Sequence, residues 1–391
     1  MNPATTHHTS AAKLTAFIRS LDNPLLDMDY RPGLERVRAV LSHFPARRPK
    51  LRIRIAGTNG KGSTGYFLEN AFRAAGFTTG FYTSPHILHF NERIRINGSP
   101  ASDDMLAPLL TDILEHGEEY AASPFELATV LALNSFAQAQ VDIEILECGL
   151  GARLDATTAV PADMALITPI GLDHQAWLGD TIGAIATEKA WVMQDCTFAV
   201  SAPQQAEVSA VLLAFKPDLR ICNIETFETL KVPGRHQHIN ASLACAALSM
   251  LAETQFMEID MAKAREGIIS CQLPGRLQKI NIGRAQIWLD AAHNRHAVEA
   301  LLPTLPELAD PFDAILVFTR QDRSLEDALY LLRPYSKRLI SNSDAKGDDS
   351  SELPAAALQE EIRKTPSGNF LVLGSFTTVA AILRTLERTK Q

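Results

Sequence analysis

Residues 51–77 read LRIRIAGTNGKGSTGYFLENAFRAAGF, and no other stretch restricts the fold as much. Leu51, Ile53 and Ile55 alternate with basic residues, as in a strand. Gly57-Thr58-Asn59-Gly60-Lys61-Gly62-Ser63 is a glycine-rich turn, after which Tyr66, Phe67, Leu68, Ala71, Phe72 and Ala75 fall at helical spacing. A strand, a glycine turn and a helix in immediate succession form a cradle for a phosphate. The first N–H groups of a helix have no intrahelical partner, and the helix dipole favours an anion there. A cation such as Lys61 at that end is unfavourable unless an anion joins it. The turn still departs from the common G-x-x-x-x-G-K-[ST] pattern. Ile55 stands where the first glycine would be, and Gly62 separates Lys61 from Ser63.

Further strand-like runs alternate with helical patterns: FTTGFYTS, VDIEILECG, ADMALITPIG and CTFAVSA, with a helical stretch at 124–139 and a long helix at about 236–252. Short, near-continuous, β-branched apolar runs suit a parallel sheet buried on both faces. LPGR at 273–276 breaks the pattern, and AQIWLDAAH, FDAILVFT, KRLISN and NFLVLGS then alternate with four helices. The expectation is an α/β protein in which a P-loop-type, mostly parallel sheet domain (1–280) precedes a smaller Rossmann-like α/β domain (281–391), with the boundary near 277–284. The polar run at 344–352 is expected to be a surface loop.

Composition excludes some functions. A net charge of −8 argues against a nucleic-acid partner held by counterion release. No apolar run approaches the ~20 residues of a membrane span. The first thirteen residues lack the apolar core of a signal peptide and read as a frayed tail, in which His7 and His8 are more simply polar residues than metal ligands. The five scattered cysteines include no C-x-x-C pair and read as free thiols of a reducing, cytoplasmic compartment.

Ligands of open α/β sheets bind past the carboxyl ends of the strands. There the sequence places Gly57–Ser63 after the first strand, Thr83-Ser84-Pro85-His86 after the second, Glu147 and Cys148-Gly149-Leu150-Gly151 after the third, and Gly171, Asp173 and His174 after the fourth. If these strands are neighbours, a phosphate loop, a hydroxyl, a carboxylate and an imidazole share one rim. That set suits a triphosphate with magnesium, which prefers oxygen ligands and so points to Ser84 and Glu147. His174 is a less typical magnesium ligand.

GTNGKGS, TSPHILHFNERIRING, ECGLGARLDATTAV, IGLDHQAWLGDTIGAIATEKA, GRHQHINASLA, LPGR and LDAAHN follow one another in an order and spacing that resemble the folylpolyglutamate synthase/dihydrofolate synthase family, within the Mur-ligase-like superfamily of ATP-dependent amide-bond-forming ligases. The resemblance extends from residue 33 to residue 383. It implies that Lys61 and its loop hold the triphosphate, with Ser63 near the metal, and that Ser84, Glu147 and His174 hold a second magnesium ion. It implies a carbamylated Lys189, an adenine contact at Asn240, phosphate and ribose contacts at Arg276 and Asp290, and a His293 near the transferred phosphate. Phe125, Arg153, Asp155 and Ala156 lie in segments that line the pterin side. The implied substrates are ATP, L-glutamate and a pterin or folate, acted on by a monomeric cytoplasmic enzyme.

The chain departs from the family pattern at Ala152 and Thr158, at Ala291 and Arg295, at Trp191, and at Gln321-Asp322-Arg323. An alanine can replace a glycine only where φ is ordinary. These changes bear on the pterin and glutamate pockets, and so on substrate range. A related amide ligase with another acceptor, and a non-catalytic nucleotide-binding relative, stay open as alternatives.

Overall fold

Strand β1 (Leu51–Ala56) runs through the middle of a sheet, and all six of its residues are buried, the two arginines included. Arg52 Nε donates to Glu144 Oε2 at 2.6 Å, and Arg54 donates to Cys196 Sγ at 3.2 Å and to Gln194 O. Although Arg54 Nε finds no acceptor among the described residues, the basic positions of the alternation are therefore partnered inside the protein. This is the condition under which charge can be buried. The structure, a computed structural model, describes residues 13–18, 33–45, 47–319, 325–341 and 352–388. His7, His8, residues 344–351 of the polar run and Gln321-Asp322-Arg323 lie outside the described residues.

By internal contacts the chain divides into two units. The first is drawn from Met1–Ser84, Phe90–Glu225 and Asn240–Ile268, the second from Pro85–His89, Thr226–Ile239 and Ile269–Gln391. The division expected at residue 280 falls inside a strand, Gln278–Ile282, that pairs along its length with Ala285–Leu289. Ile87 belongs with the second unit because it is buried in that unit's core.

The first unit carries an eight-stranded sheet of β1, β2 (Thr79–Tyr82), β3 (Ile94–Ile96), β4 (Ser99–Pro100), β5 (Ile143–Glu147), β6 (Met164–Ile167), β7 (Phe198–Ser201) and β8 (Arg220–Ile221). Its order is β4-β3-β2-β5-β1-β6-β7-β8, parallel except for β3 and β4. The β3–β4 hairpin turns through Asn97 and Gly98, both with positive φ as a tight hairpin requires. The helix Lys61–Ala74 packs Phe67, Leu68, Ala71 and Phe72 inward, each large side chain contributing about 1.5–3 kcal/mol of burial. Gly65 lets it approach the sheet so closely that a Cβ there would lie 2.3 Å from Phe81.

The second unit carries β9 (Gln278–Ile282), β10 (Ala285–Leu289), β11 (Ala314–Val317), β12 (Leu339–Ser341) and β13 (Asn369–Leu373) in the order β12-β11-β13-β10-β9. The four expected strands are parallel, and β9 adds an antiparallel edge that the sequence reading left inside the boundary region.

Candidate active site

The order of the first sheet puts β2, β5, β1 and β6 side by side, so the four strand ends singled out in the sequence are neighbours. The phosphate loop is latched to the segment after β6. Thr58 and Asn59 donate their N–H groups to Pro169 O at 3.0 and 3.4 Å, and Thr58 Oγ1 both donates to Gly171 O (2.9 Å) and accepts from Gly171 N (3.0 Å). That segment is braced in turn by Gln204, which accepts from Ile170 N at 3.0 Å and donates to Thr168 O at 3.1 Å. Thr168 and Gln204 had no motif to mark them.

Gly60 sits at the N-terminus of the helix with φ of +94°, and a Cβ there would lie 2.2 Å from Asn240 Oδ1. The buried Asn240 is thereby brought against the loop. Gly60→Ala combines left-handed strain of about 1–2 kcal/mol with displacement of Asn240, and should weaken ATP binding at least ~10-fold. Calorimetric titration with ATP would measure this. An unchanged affinity would show that the Gly60–Asn240 approach is not needed.

Gly62, the residue that breaks the common pattern, faces a carboxylate. A Cβ there would stand 3.4 Å from Glu147 Oε2 and 3.5 Å from Thr83 Oγ1. Glu147 is buried at the end of β5, accepts a short hydrogen bond from Thr83 Oγ1, and accepts from Ser84 N at 3.2 Å. Next to Gly62 in the loop, Ser63 is buried and its hydroxyl has no hydrogen-bond partner among the described residues. A buried hydroxyl without a partner costs about 1–3 kcal/mol, and an oxygen-seeking cation would satisfy it. These oxygen donors fit magnesium.

Two lysines meet at the same loop. Lys61 Nζ donates to Gly57 O and Thr58 O, both at 3.2 Å, and Lys189 Nζ donates to Gly57 O at 2.9 Å. Lys189 is fully enclosed. Burial first and the nearby Lys61 cation second push its pKa down to about 7, against the opposing pull of Asp173. His174 lies in the left-handed region, with φ of 51°. Its N–H donates to Asp173 Oδ1 at 2.9 Å, and its ring is half-exposed, with Nε2 3.9 Å from Asp173 Oδ2.

The four residues expected on the pterin side occupy different environments. Phe125 packs on Gly149, where a Cβ would lie 2.5 Å from its ring, and its centroid is 6.1 Å from that of Tyr82. Arg153 is exposed and pairs with Glu188 at 3.0 Å. Asp155 is 1% exposed and accepts from Gly149 N, Leu150 N, Thr157 N and Thr157 Oγ1. Burial raises its pKa against those hydrogen bonds. Ala156 is buried in the core. Asp155 and Ala156 therefore shape the 149–157 turn, while Phe125 and Arg153 are the two with accessible surface. Ala152 and Ala291 both have ordinary φ, so neither departure from glycine is strained. Thr158 closes the turn by donating to Ala152 O and Asp155 O at 2.9 and 2.7 Å.

In the second unit, Asp290 is buried and accepts from Leu277 N (2.9 Å) and Ala292 N (2.8 Å). Burial raises its pKa against the opposing charge of Arg276. The Arg276 guanidinium lies 4.8 Å above the Phe376 ring, and His293 Nδ1 is 2.9 Å from Ala291 O. His236 was not singled out in the sequence. Burial, then the Arg276 charge, push its pKa down to about 4, so its imidazole is neutral at physiological pH. Arg295 is engaged with Glu299 at 2.8 Å and with the Tyr330 hydroxyl at 3.1 Å.

Comparison with models of known protein families finds no match. Among curated proteins, dihydrofolate synthase/folylpolyglutamate synthase of Bacillus subtilis is 32% identical over 383 residues, covering 88% of this chain and 87% of that protein. The Escherichia coli protein of the same name is 34% identical over 310 residues, covering 74% and 71%. Among solved structures, E. coli FolC in complex with ADP, without folate substrate, superposes with a TM-score of 0.82 at 27% identity, covering 96% of this chain and 98% of that one. Mycobacterium tuberculosis folylpolyglutamate synthase complexed with ADP and AMPPCP gives 0.76 at 27% identity, covering 96% and 98%. With this extent of identity, and the phosphate loop, Glu147 and Lys189 gathered as described, the chain belongs to the dihydrofolate synthase/folylpolyglutamate synthase family.

Proposed function

We propose that this chain is an ATP- and magnesium-dependent carboxylate–amine ligase that joins L-glutamate to dihydropteroate, to folates, or to both, through an acyl phosphate. The observation that carries this reading is the meeting of Lys61, the unpartnered Ser63 hydroxyl and buried Glu147 at one loop. A carboxylate is a poor electrophile because its leaving group would be oxide; transfer of the ATP γ-phosphoryl to it supplies phosphate as the leaving group. The glutamate amine then attacks the acyl carbon, the amide forms and phosphate departs.

The N–H groups of Lys61, Gly62 and Ser63 occupy the first helical turn and are free of intrahelical acceptors, so they are placed to hold phosphate oxygens. The Lys61 ammonium exchanges its two loop carbonyls for the phosphates and stabilises the charge on the transferred group. Ser63, Ser84 and Glu147, with His174, are the residues that would hold magnesium, which when bound neutralises charge on the phosphates. Asn240 is assigned to the adenine, Arg276 and Asp290 to phosphate and ribose, His293 to the transferred phosphate, and Phe125 and Arg153 to the pterin. The turn held by Asp155 and Ala156 supports them. No described helix is long and apolar enough to cross a membrane. The five cysteines are free and buried, which accords with the reducing, cytoplasmic compartment assigned to the chain.

The test is phosphate release from ATP with glutamate and each pterin in turn. Release that requires both glutamate and a pterin carboxylate supports the reading; no pterin-dependent turnover with dihydropteroate or folate sinks it.

Lys189 is assigned as a carbamate. Its neutral amine attacks carbon dioxide and loses a proton, and the resulting anion replaces the repulsion between two cations with attraction to Lys61, while the remaining N–H can keep its bond to Gly57 O. The amine must be neutral to react, and with a pKa near 7 its neutral fraction rises as pH rises through that value. Carbamate formation should therefore increase from pH 6 to pH 8. Carbon-13 NMR of protein in labelled bicarbonate measures it, and a signal that persists in Lys189→Arg would assign the carbamate elsewhere.

A further inference from the structure

Three side chains with metal-binding atoms converge on the surface of the first unit. His43 lies just past the helix Glu35–Leu41, and His116 and Glu119 lie on the last turn of the helix Asp103–Glu119. Ligand atoms from the three all lie within 4.8 Å of one another. The imidazoles are stacked, with centroids 3.9 Å apart and planes at 14°. Both rings are held from outside: Phe44 meets His116 edge-on at 5.8 Å, and the Tyr120 hydroxyl is 3.0 Å from His43 Nε2. None of these residues takes part in the proposed ligation.

We propose that His43, His116 and Glu119 form a site for a divalent cation of the zinc class. Two imidazole nitrogens, one carboxylate oxygen and solvent access for a fourth ligand make up the zinc donor set, whereas magnesium prefers oxygen ligands throughout. The backbone also favours a cation, because two of the ligands sit at a helix C-terminus, the negative end of its dipole. In the tautomer whose Nε2–H donates to the phenol oxygen, His43 keeps the lone pair of Nδ1 for the ion, and an outer hydrogen bond of this kind orients a metal-binding imidazole.

In a tetrahedral site with bonds of about 2.0–2.2 Å the ligand atoms stand ~3.3 Å apart. Bringing atoms that lie within 4.8 Å of one another to that spacing takes a movement of at most about 1.5 Å, together with a turn of one imidazole out of the stack so that both ring lone pairs face the ion. The bound ion joins the turn at residues 42–44 to the helix Asp103–Glu119. Arg36, on the helix before that turn, binds both oxygens of Glu126 at 3.1 and 2.8 Å, next to Phe125. The cation would thus stiffen a wall of the unit that adjoins Phe125.

The experiment uses the full chain, freed of metals with a chelator and titrated with Co2+ while visible absorption is followed, then with Zn2+ in competition. The expected result is one equivalent of cobalt with the intense bands of a four-coordinate site, displaced by zinc and indifferent to excess magnesium. His116→Ala should weaken binding at least ~10-fold, as loss of even an outer partner can. Glu119→Gln, an exposed change of one atom that the fold should tolerate, should weaken binding and shift the bands. His7→Ala/His8→Ala should leave them unchanged. The proposal is overturned if no such bands appear, if they survive in Glu119→Gln and His116→Ala alike, or if they vanish in the His7/His8 variant.

Discussion

Lys61→Ala is expected to lower turnover by at least ~10³-fold, the scale on which removing a preorganised charge partner from a transition state acts. The substitution should leave the fold standing. Among the described residues Lys61 Nζ bonds to Gly57 O and Thr58 O alone, and Gly57 O keeps its bond from Lys189 Nζ. Alanine also has a high helix propensity, so the helix that begins at this residue loses nothing locally. The lost activity therefore reports charge at the phosphate and not a collapsed loop. Phosphate release under saturating ATP, glutamate and pterin gives the rate, and thermal unfolding of the same sample controls for the fold. Turnover within tenfold of the parent chain would remove Lys61 from the assigned role. One secondary effect is separable: without the Lys61 cation nearby, the amine of Lys189 should protonate more readily, because that cation is the second cause of its lowered pKa.

The second large effect is expected at Glu147→Gln. The change is nearly isosteric, and the amide oxygen can still accept from Thr83 Oγ1 and Ser84 N. What disappears is one negative charge against Gly62 of the phosphate loop, one residue from the Ser63 hydroxyl that finds no partner among the described residues. Turnover should fall about 10²–10³-fold at ordinary magnesium concentrations. Part of that loss should be recovered at high magnesium, since weaker cation binding is offset by mass action. Rates measured across a magnesium titration decide between a metal role and a structural one. A purely structural glutamate predicts a loss that magnesium does not recover, together with a lowered unfolding temperature.

Much of this site was legible in the sequence because its parts are local. The strand, turn and helix at 51–77 are each specified by adjacent residues, and parallel strand order then brings Thr83, Ser84 and Glu147 to the loop. Other parts depend on contacts that no local pattern encodes. Arg52 and Arg54 read only as the basic positions of an alternating strand, and both are enclosed because Glu144, Pro161, Gln194 and Cys196 arrive from elsewhere in the chain to receive them. Without the family resemblance Lys189 reads as a helix-surface lysine, and its lowered pKa follows from its burial against Gly57 and from the nearby Lys61 cation, which no local pattern encodes. Asp155 and Ala156 lie in a recognisable motif, but what their side chains do is hold the turn from within. The Asn97-Gly98 hairpin could have been read from its turn residues. The antiparallel edge strand β9 could not, because it looks like the end of a linker until β10 pairs with it.

The central claim is that a pterin carboxylate is activated by phosphorylation before glutamate attacks it. It is tested most directly with a pterin substrate carrying oxygen-18 in that carboxylate, incubated with the full chain, ATP, magnesium and glutamate. An acyl phosphate transfers one labelled oxygen to inorganic phosphate for every amide bond formed, and mass spectrometry of the released phosphate should find it. Unlabelled phosphate, or phosphate released at the same rate without glutamate and pterin, would contradict the account.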